Sequence, residues 1–314
     1  MFNLEKIKEL IRGTNPLLSI VICTYNRHKY LRSSIEAFSE TTQNCNRFEI
    51  IVVDNSDEEI DREENANLTK GVKGIRLIKS EPGNLSLARN TALRLSKSEF
   101  IAFIDDDAIP SVGWAENIIK TFQDLNEKVV AVGGPIYPIW KSPRPEWVSD
   151  SLLPPLTILD LGPSPRMLNP SEYIFGTNMA YRTKTLRQHG GFNQGLGRFG
   201  SKVLLSNEDT EIQKRLRTAG YDVFYNPEVS VYHTVHPERL KQEWFIRRMI
   251  WQAISDSFDT DSKESLMTDD LLSSCRKLGS ENLIELLVSE TESAKLFEAR
   301  LEFVYFFIKR AMLN

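Results

Sequence analysis

The chain is short of cysteine, of net charge and of long apolar runs, and each shortage removes a class of protein. Cys23, Cys45 and Cys275 are the only thiols in 314 residues, odd in number and far apart. They make neither a disulfide framework nor a zinc-type pair, and a reducing cytoplasm suits them. A formal net charge of -4 offers no basic field to a polyanion, so no nucleic-acid partner is expected. No stretch approaches the ~18 apolar residues of a membrane span. The opening MFNLEKIKEL, amphipathic and charged throughout, lacks the apolar centre of a signal peptide. The expected location is cytoplasmic, with any membrane contact peripheral and at the inner face. No GxGxxG follows the first apolar run, which counts against a dinucleotide-dependent oxidoreductase, and no internal repeat is evident.

What is present is an α/β pattern. The hydrophobic fraction of 41% and charged fraction of 26% are those of a globular protein. Leu17–Cys23 reads as a buried strand, Tyr30–Phe38 as the helix after it, and Ile50–Val53 as a second strand, which together make a parallel crossover unit. A charged stretch, Glu58–Asn67, is expected to be a loop before a third strand at Ile75–Ile78. Asn84–Leu93 has helical spacing, and Phe100–Ile104 is the next strand. Nine of the 14 prolines fall between Gly134 and Pro170, too many for regular structure. A loop of that length inside a compact domain is a lid or binding segment or else disordered, and Trp140 and Trp147 argue against disorder. Beyond it, Tyr173–Arg182 reads as strand or turn, Glu208–Thr218 as helix and Val223–His233 as strand. A helical tail runs from about Ser255 to Asn314.

The most informative residues are Asp105, Asp106 and Asp107, directly after the fourth strand. Adjacent carboxylates repel one another and are costly to bury without a cation or hydrogen-bond donors. If the segment is extended, Asp105 and Asp107 point to one side and Asp106 to the other. That spacing suits a hard divalent ion which also carries phosphate oxygens. The carboxyl ends of strands are where open α/β sheets bind ligands.

Taken together, SIVICTYNRHKYL, IIVVDNSDE, NLSLARNTAL, IAFIDDDAIP, FGTNMAYR and LLSNEDTEIQKRLR resemble the family 2 glycosyltransferases, in that family's order, from about Leu17 to Trp251. The resemblance implies a GT-A fold: a Rossmann-like mixed sheet flanked by helices over residues 1–254, with a nucleotide-sugar half at about 16–107, an acceptor half at 108–254 and a helical extension at 255–314. It implies an inverting, metal-dependent enzyme that uses Mn2+ or Mg2+ and a nucleotide-sugar, most commonly a UDP-sugar, to glycosylate a glycan or lipid-linked acceptor. Thr24, Tyr25, Asn26 and Arg27 match the segment at the nucleoside, and Asp54 the acid at the base. Arg89 stands where a basic residue often lies near the diphosphate. Asp107 and Asp105 match the outer acids of the DxD motif. Asp107 is the first choice as metal ligand, while Asp105 ligates directly, through water, or holds the ribose with help from Asp106. His233 matches a further metal ligand, with His236 as the competing choice. Asp209 matches the general base and is preceded by Glu208. Gly176, Thr177, Asn178 and Glu208 would lie beside the donor sugar and acceptor, and the glycine-rich Gly190–Gly197 looks like a mobile loop.

The processive members carry a Q/RxxRW signature after the base, and Gln242–Gln252 departs from it, which favours addition of one sugar per encounter. The aromatic and basic residues of that stretch allow contact with an anionic membrane, or plain helix packing. Three other readings stay open: a nucleotidyltransferase, a metal-dependent phosphohydrolase and a sugar-nucleotide-binding protein without catalysis. The first lacks its glycine- and lysine-rich phosphate loop here.

Overall fold

The computed structural model describes residues 16–38, 47–201, 203–258 and 291–313. The opening segment, Cys45, Cys275 and much of the expected tail lie outside them. The apolar runs become strands β1 (Leu18–Thr24), β2 (Phe48–Asp54), β3 (Ile75–Lys79) and β4 (Phe100–Asp105). They pair in parallel in the order β3-β2-β1-β4. β1, β2 and β4 are covered on both faces, which is why they read as unbroken apolar runs. Helices α1 (His28–Ala37), α2 (Glu59–Thr69) and α3 (Leu85–Leu95) connect the four strands. Asn84 caps α3, its side chain accepting from the Leu87 amide at 2.8 Å.

The second half begins with β5 (Ala108–Pro110), α4 (Trp114–Asp124), β6 (Val129–Gly133), β7 (Ile136–Trp140) and β8 (Arg166–Met167). It continues with β9 (Asn178–Arg182), α5 (Thr183–Gln188), α6 (Glu208–Thr218), β10 (Asp222–Tyr225) and β11 (Val231–Val235). Together the strands complete a mixed sheet, β3-β2-β1-β4-β9-β6-β10-β8, and a small second sheet, β5-β11-β7. β9 runs antiparallel to β4 with Asn178 opposite Ile104, so the start of one strand meets the end of the other. In the small sheet His233 lies opposite Ala108. The two registers carry Thr177 and His233 to the aspartates.

Four expectations need correction. Glu58–Asn67 is not a loop: it lies in α2, whose inward stripe of Asp61, Asn65 and Thr69 is polar. A helix with a polar buried face has no apolar period to read, though Glu59 and Asp61 in its first turn complement the helix dipole. The proline-rich segment contains β7, at an edge of the small sheet. Ile136 donates away from β11 to the Leu159 carbonyl, and Pro138, two residues on, therefore lacks its N–H on the side where β11 needs none. Trp147 of the same segment is buried and packs edge-on against Phe245 and Phe297. Val223–His233 is two strands in two sheets, divided around Asn226 and Pro227. The aspartate triplet is not extended either. Asp105 ends β4 and the next two residues turn, so the turn itself separates the three carboxylates.

At the carboxyl end of the chain, α7 (Gln242–Ser257) crosses the expected boundary at residue 254. α8 (Ala294–Leu313) places Phe297 and Leu301 in the same apolar core as β1 and α4. Among the described residues, no helix is long and apolar enough to cross a membrane.

Candidate active site

The ends of β1 and β4, the turn after β4, the start of β9, the loop before α6 and one face of α7 enclose a cavity of about 830 Å³. Thr24, Asp54 and Asp105 are the last residues of their strands, and the β1 register puts Thr24 beside Asp54 and Cys23 beside Asp105. The strand ends thus deliver one row of polar groups to one edge of the sheet.

At that edge the three aspartates have different partners. Asp106 is buried, accepts from Thr24 Oγ1 at 2.8 Å and pairs with Arg27 at 2.9 Å. Burial, and then the neighbouring carboxylates, push it up to about 7 against the pull of Arg27. For Asp107 burial acts the same way, but the hydrogen bond and charge of His233, with Arg27 and Arg239, outweigh it and hold the carboxyl well below its usual range. Its two oxygens face different ways. Oδ1 lies 3.3 Å from His233 Nε2, whereas Oδ2 takes Arg27 at 2.5 Å and Arg239 at 3.5 Å, with His236 at 3.8 Å. Asp105 accepts from Thr177 Oγ1.

One ligand atom each from Asp105, Asp107 and His233 lies within 4.8 Å of the others, a group of a kind that can hold a metal ion. Two carboxylates with one imidazole are a reasonable donor set for Mn2+. Nε2 of His233 faces this group, and the ring is buried. His236 approaches the opposite oxygen of Asp107 and stands outside the trio.

Deeper in the cavity, Arg89 of α3 is 3% exposed and pairs with Glu208 at 2.7 Å and with Asp105 at 3.8 Å. It passes against Gly176, where a Cβ would come within 2.6 Å of Nη2, so a larger residue there would push the guanidinium aside. Arg89 is therefore no solvated helix residue; its charge is already engaged by protein carboxylates. Asp209 opens onto the same cavity at the start of α6, with amides of Gly176 and Thr210 each donating to its carboxylate at 2.8 Å. Burial and then the charge of Glu208 raise it to about 6, against the opposing pull of Arg89. Asn207, just before α6, and Asn26, just after β1, both adopt left-handed backbone, φ 73° and 53°. Asparagine tolerates that region better than most residues. Asn26 Oδ1 accepts from the amides of Asp57 and Glu58, and Tyr25 donates to Asp57 at 2.7 Å.

Among the residues singled out from sequence, Tyr25, Asn26, Arg27, Arg89, the three aspartates, Gly176, Thr177, Glu208, Asp209 and His233 all line the cavity. Asp54 is buried behind Asn55, which lines it. Asn178 lies outside the lining: its amide donates to the Pro135 and Val229 carbonyls and accepts from Trp114 Nε1 at 3.0 Å. The glycine-rich loop is pinned to α3 through Asn84, Ser86 and Asn90 rather than hanging free. Sequence reasoning missed Arg198, Arg239 and Arg248, three further guanidiniums in the wall. The one available signal was the placement of Arg248 in the Gln242–Gln252 stretch.

Comparison with known proteins gives this geometry a context. The profile of glycosyl transferase family 2 matches residues 19–204, more than half of the chain. A glucosyl-dolichyl phosphate glucuronosyltransferase of Haloferax volcanii is 27% identical over 245 residues, 76% of this chain and 75% of that protein. A succinoglycan biosynthesis protein of Rhizobium meliloti is 25% identical over 239 residues, covering 74% and 71%. A mannosyltransferase of Pyrobaculum calidifontis, solved with GDP-Man and Mn2+, superposes with a TM-score of 0.56 at 19% identity, covering 83% of this chain and 71% of that one. That likeness establishes a GT-A type of fold.

Proposed function

The chain belongs to glycosyl transferase family 2 and is a glycosyltransferase, and from that premise we propose that it moves one sugar, with inversion, from a nucleoside-diphosphate donor to an acceptor hydroxyl. A UDP-sugar is the first donor to test. The observation that carries the proposal is the opening of Asp209 onto the same cavity as the Asp105, Asp107 and His233 group.

Asp209 acts as base. Its carboxylate, held by two backbone amides, takes the proton from the acceptor hydroxyl as that oxygen bonds to the anomeric carbon. The bond from that carbon to the diphosphate breaks, and its electron pair leaves with the nucleotide. An α-linked donor therefore gives a β-linkage, with no covalent sugar-enzyme intermediate. A divalent ion held by Asp105, Asp107 and His233 would supply charge neutralisation at the diphosphate. Thr177 orients Asp105, and Arg89 keeps Glu208 from driving the Asp209 pKa higher still.

The acceptor is read as a glycan or lipid-linked saccharide. In support, one relative is named for glucosyl-dolichyl phosphate. A lipid-linked acceptor would bring the enzyme to a membrane surface without inserting it. The test is product analysis with UDP-, GDP- and dTDP-sugars and Mn2+, with and without acceptor. Transfer that needs acceptor, and donor binding that Asp107→Ala abolishes, are expected. Cleavage of the donor to nucleoside monophosphate and sugar 1-phosphate, at the same rate without acceptor, would instead make the protein a phosphohydrolase.

A further inference from the structure

The cavity holds more positive charge than the proposed donor chemistry uses. Arg27 is engaged by Asp106 and Asp107, Arg239 by Asp107, and Arg89 by Glu208 and Asp105. Arg248 differs. It projects from α7 into the cavity wall, and its Nη1 is fully buried with no hydrogen-bond partner among the described residues. A buried guanidinium nitrogen left without an acceptor is costly, and an anion is the group that relieves the cost. Arg198, in the loop before α6, faces the same cavity and is exposed to it. Arg198 feels the charge of Arg248 and then those of Asp105 and Asp107, so it stands between Arg248 and the donor end.

Position separates Arg248 from the donor end. The carboxylates that act most on Arg248 are Glu208, Asp209 and Asp256, on the side of the base, and not the Asp105 and Asp107 pair where a diphosphate would sit. The wall beside Arg248 is formed by Met249, Gln252, Pro154 and Pro155, largely apolar surface suited to a sugar ring or the first part of a lipid.

We propose that Arg248 is a specificity-determining subsite for a negatively charged group on the acceptor, a phosphate or a uronate carboxylate close to the hydroxyl that Asp209 deprotonates. The inference rests on the placing of donor and acceptor above. It deepens that reading by naming the acceptor as an anionic saccharide rather than a neutral one.

Calorimetry with octyl glucosyl phosphate and octyl glucoside tests it without requiring turnover. The wild-type protein is expected to bind the phosphate probe at least tenfold more tightly than the neutral one. Arg248→Gln should erase that preference, and Arg248→Lys should keep part of it, since a point charge attracts phosphate without the planar fork. Equal binding of the two probes by wild type, or a preference that survives Arg248→Gln, would overturn the proposal. Adding UDP or GDP with Mn2+ separates the two sources of phosphate. Simultaneous binding of nucleotide and probe places the anion on the acceptor side, and displacement of the probe assigns Arg248 to the donor diphosphate and refutes the inference. Failure of the base assignment would show instead as an active Asp209→Asn enzyme and would leave these titrations unchanged.

Discussion

Replacing Arg89 by methionine should both destabilise the fold and alter the acid limb of catalysis. The guanidinium is buried between α3 and α6, 2.7 Å from Glu208 and 3.8 Å from Asp105, and its Nη2 reaches the Gly176 carbonyl at 3.5 Å. Methionine fills much of the space but leaves Glu208, itself buried, without its cation. Removing one partner of a buried pair costs ~3–5 kcal/mol. That corresponds to a fall in Tm of roughly 5–8 °C for a chain of this length. Arg89 is also the cation that lowers the Asp209 pKa, so its loss should move the protonation of Asp209 above the wild-type value of about 6. The assay is urea unfolding of Arg89→Met, Glu208→Leu and the double variant, with kcat/KM against pH for each. The double variant should recover much of the stability lost by Arg89→Met, because no carboxylate is then stranded. A cost below ~1 kcal/mol, the level of an exposed pair, or a double variant no better than the single one, would refute the reasoning.

The remaining predictions concern the base and the core. Because Asp209 must be unprotonated to accept a proton, kcat/KM should fall as pH drops through about 6, and Asp209→Asn should lose roughly 10²–10⁴-fold of transfer together with that limb. A pH–rate profile that stays flat below this value would remove Asp209 from the role. Asn178→Ala strips hydrogen bonds from the Trp114 indole and from the Pro135 and Val229 carbonyls. It should cost at least ~2 kcal/mol in denaturant melts, with donor KM changed less than twofold. A tenfold rise in donor KM at unchanged stability would instead put the amide against the sugar.

The readable part of this chain follows from the physics of its sheet. β1, β2 and β4 are buried on both faces and so carry continuous apolar runs, and the acids that matter stand at the ends of those runs. What could not be read depended on partners remote in sequence. The inward stripe of α2 is polar because Asp61 accepts from the His28 amide and ring in α1, a contact no local period records. β5 and β11 are short and find each other across more than a hundred residues, yet their pairing is what carries His233 to Asp107. The arginines are the clearest case. Arg27 and Asp107 are 80 residues apart, Arg89 and Glu208 119, and a guanidinium looks the same in sequence whether a carboxylate or a ligand will meet it.

The choice between His233 and His236 turns on which oxygen of Asp107 each ring faces. Both rings lie near Asp107, His233 within β11 and His236 just after it. His233 Nε2 approaches Oδ1, on the side where Asp105 also offers an oxygen. His236 approaches Oδ2, where Arg27 and Arg239 already converge. A cation on the Oδ2 side would meet two guanidiniums within 3.5 Å of that oxygen, and like charges at such range repel strongly in a partly buried site. On the Oδ1 side it would meet a second carboxylate and the His233 ring, whose Nε2 lies 3.4 Å from Arg239 Nη1. The turn after β4 thus gives one aspartate two faces, with Arg27 and Arg239 nearest Oδ2 and the Asp105 and His233 group on the side of Oδ1.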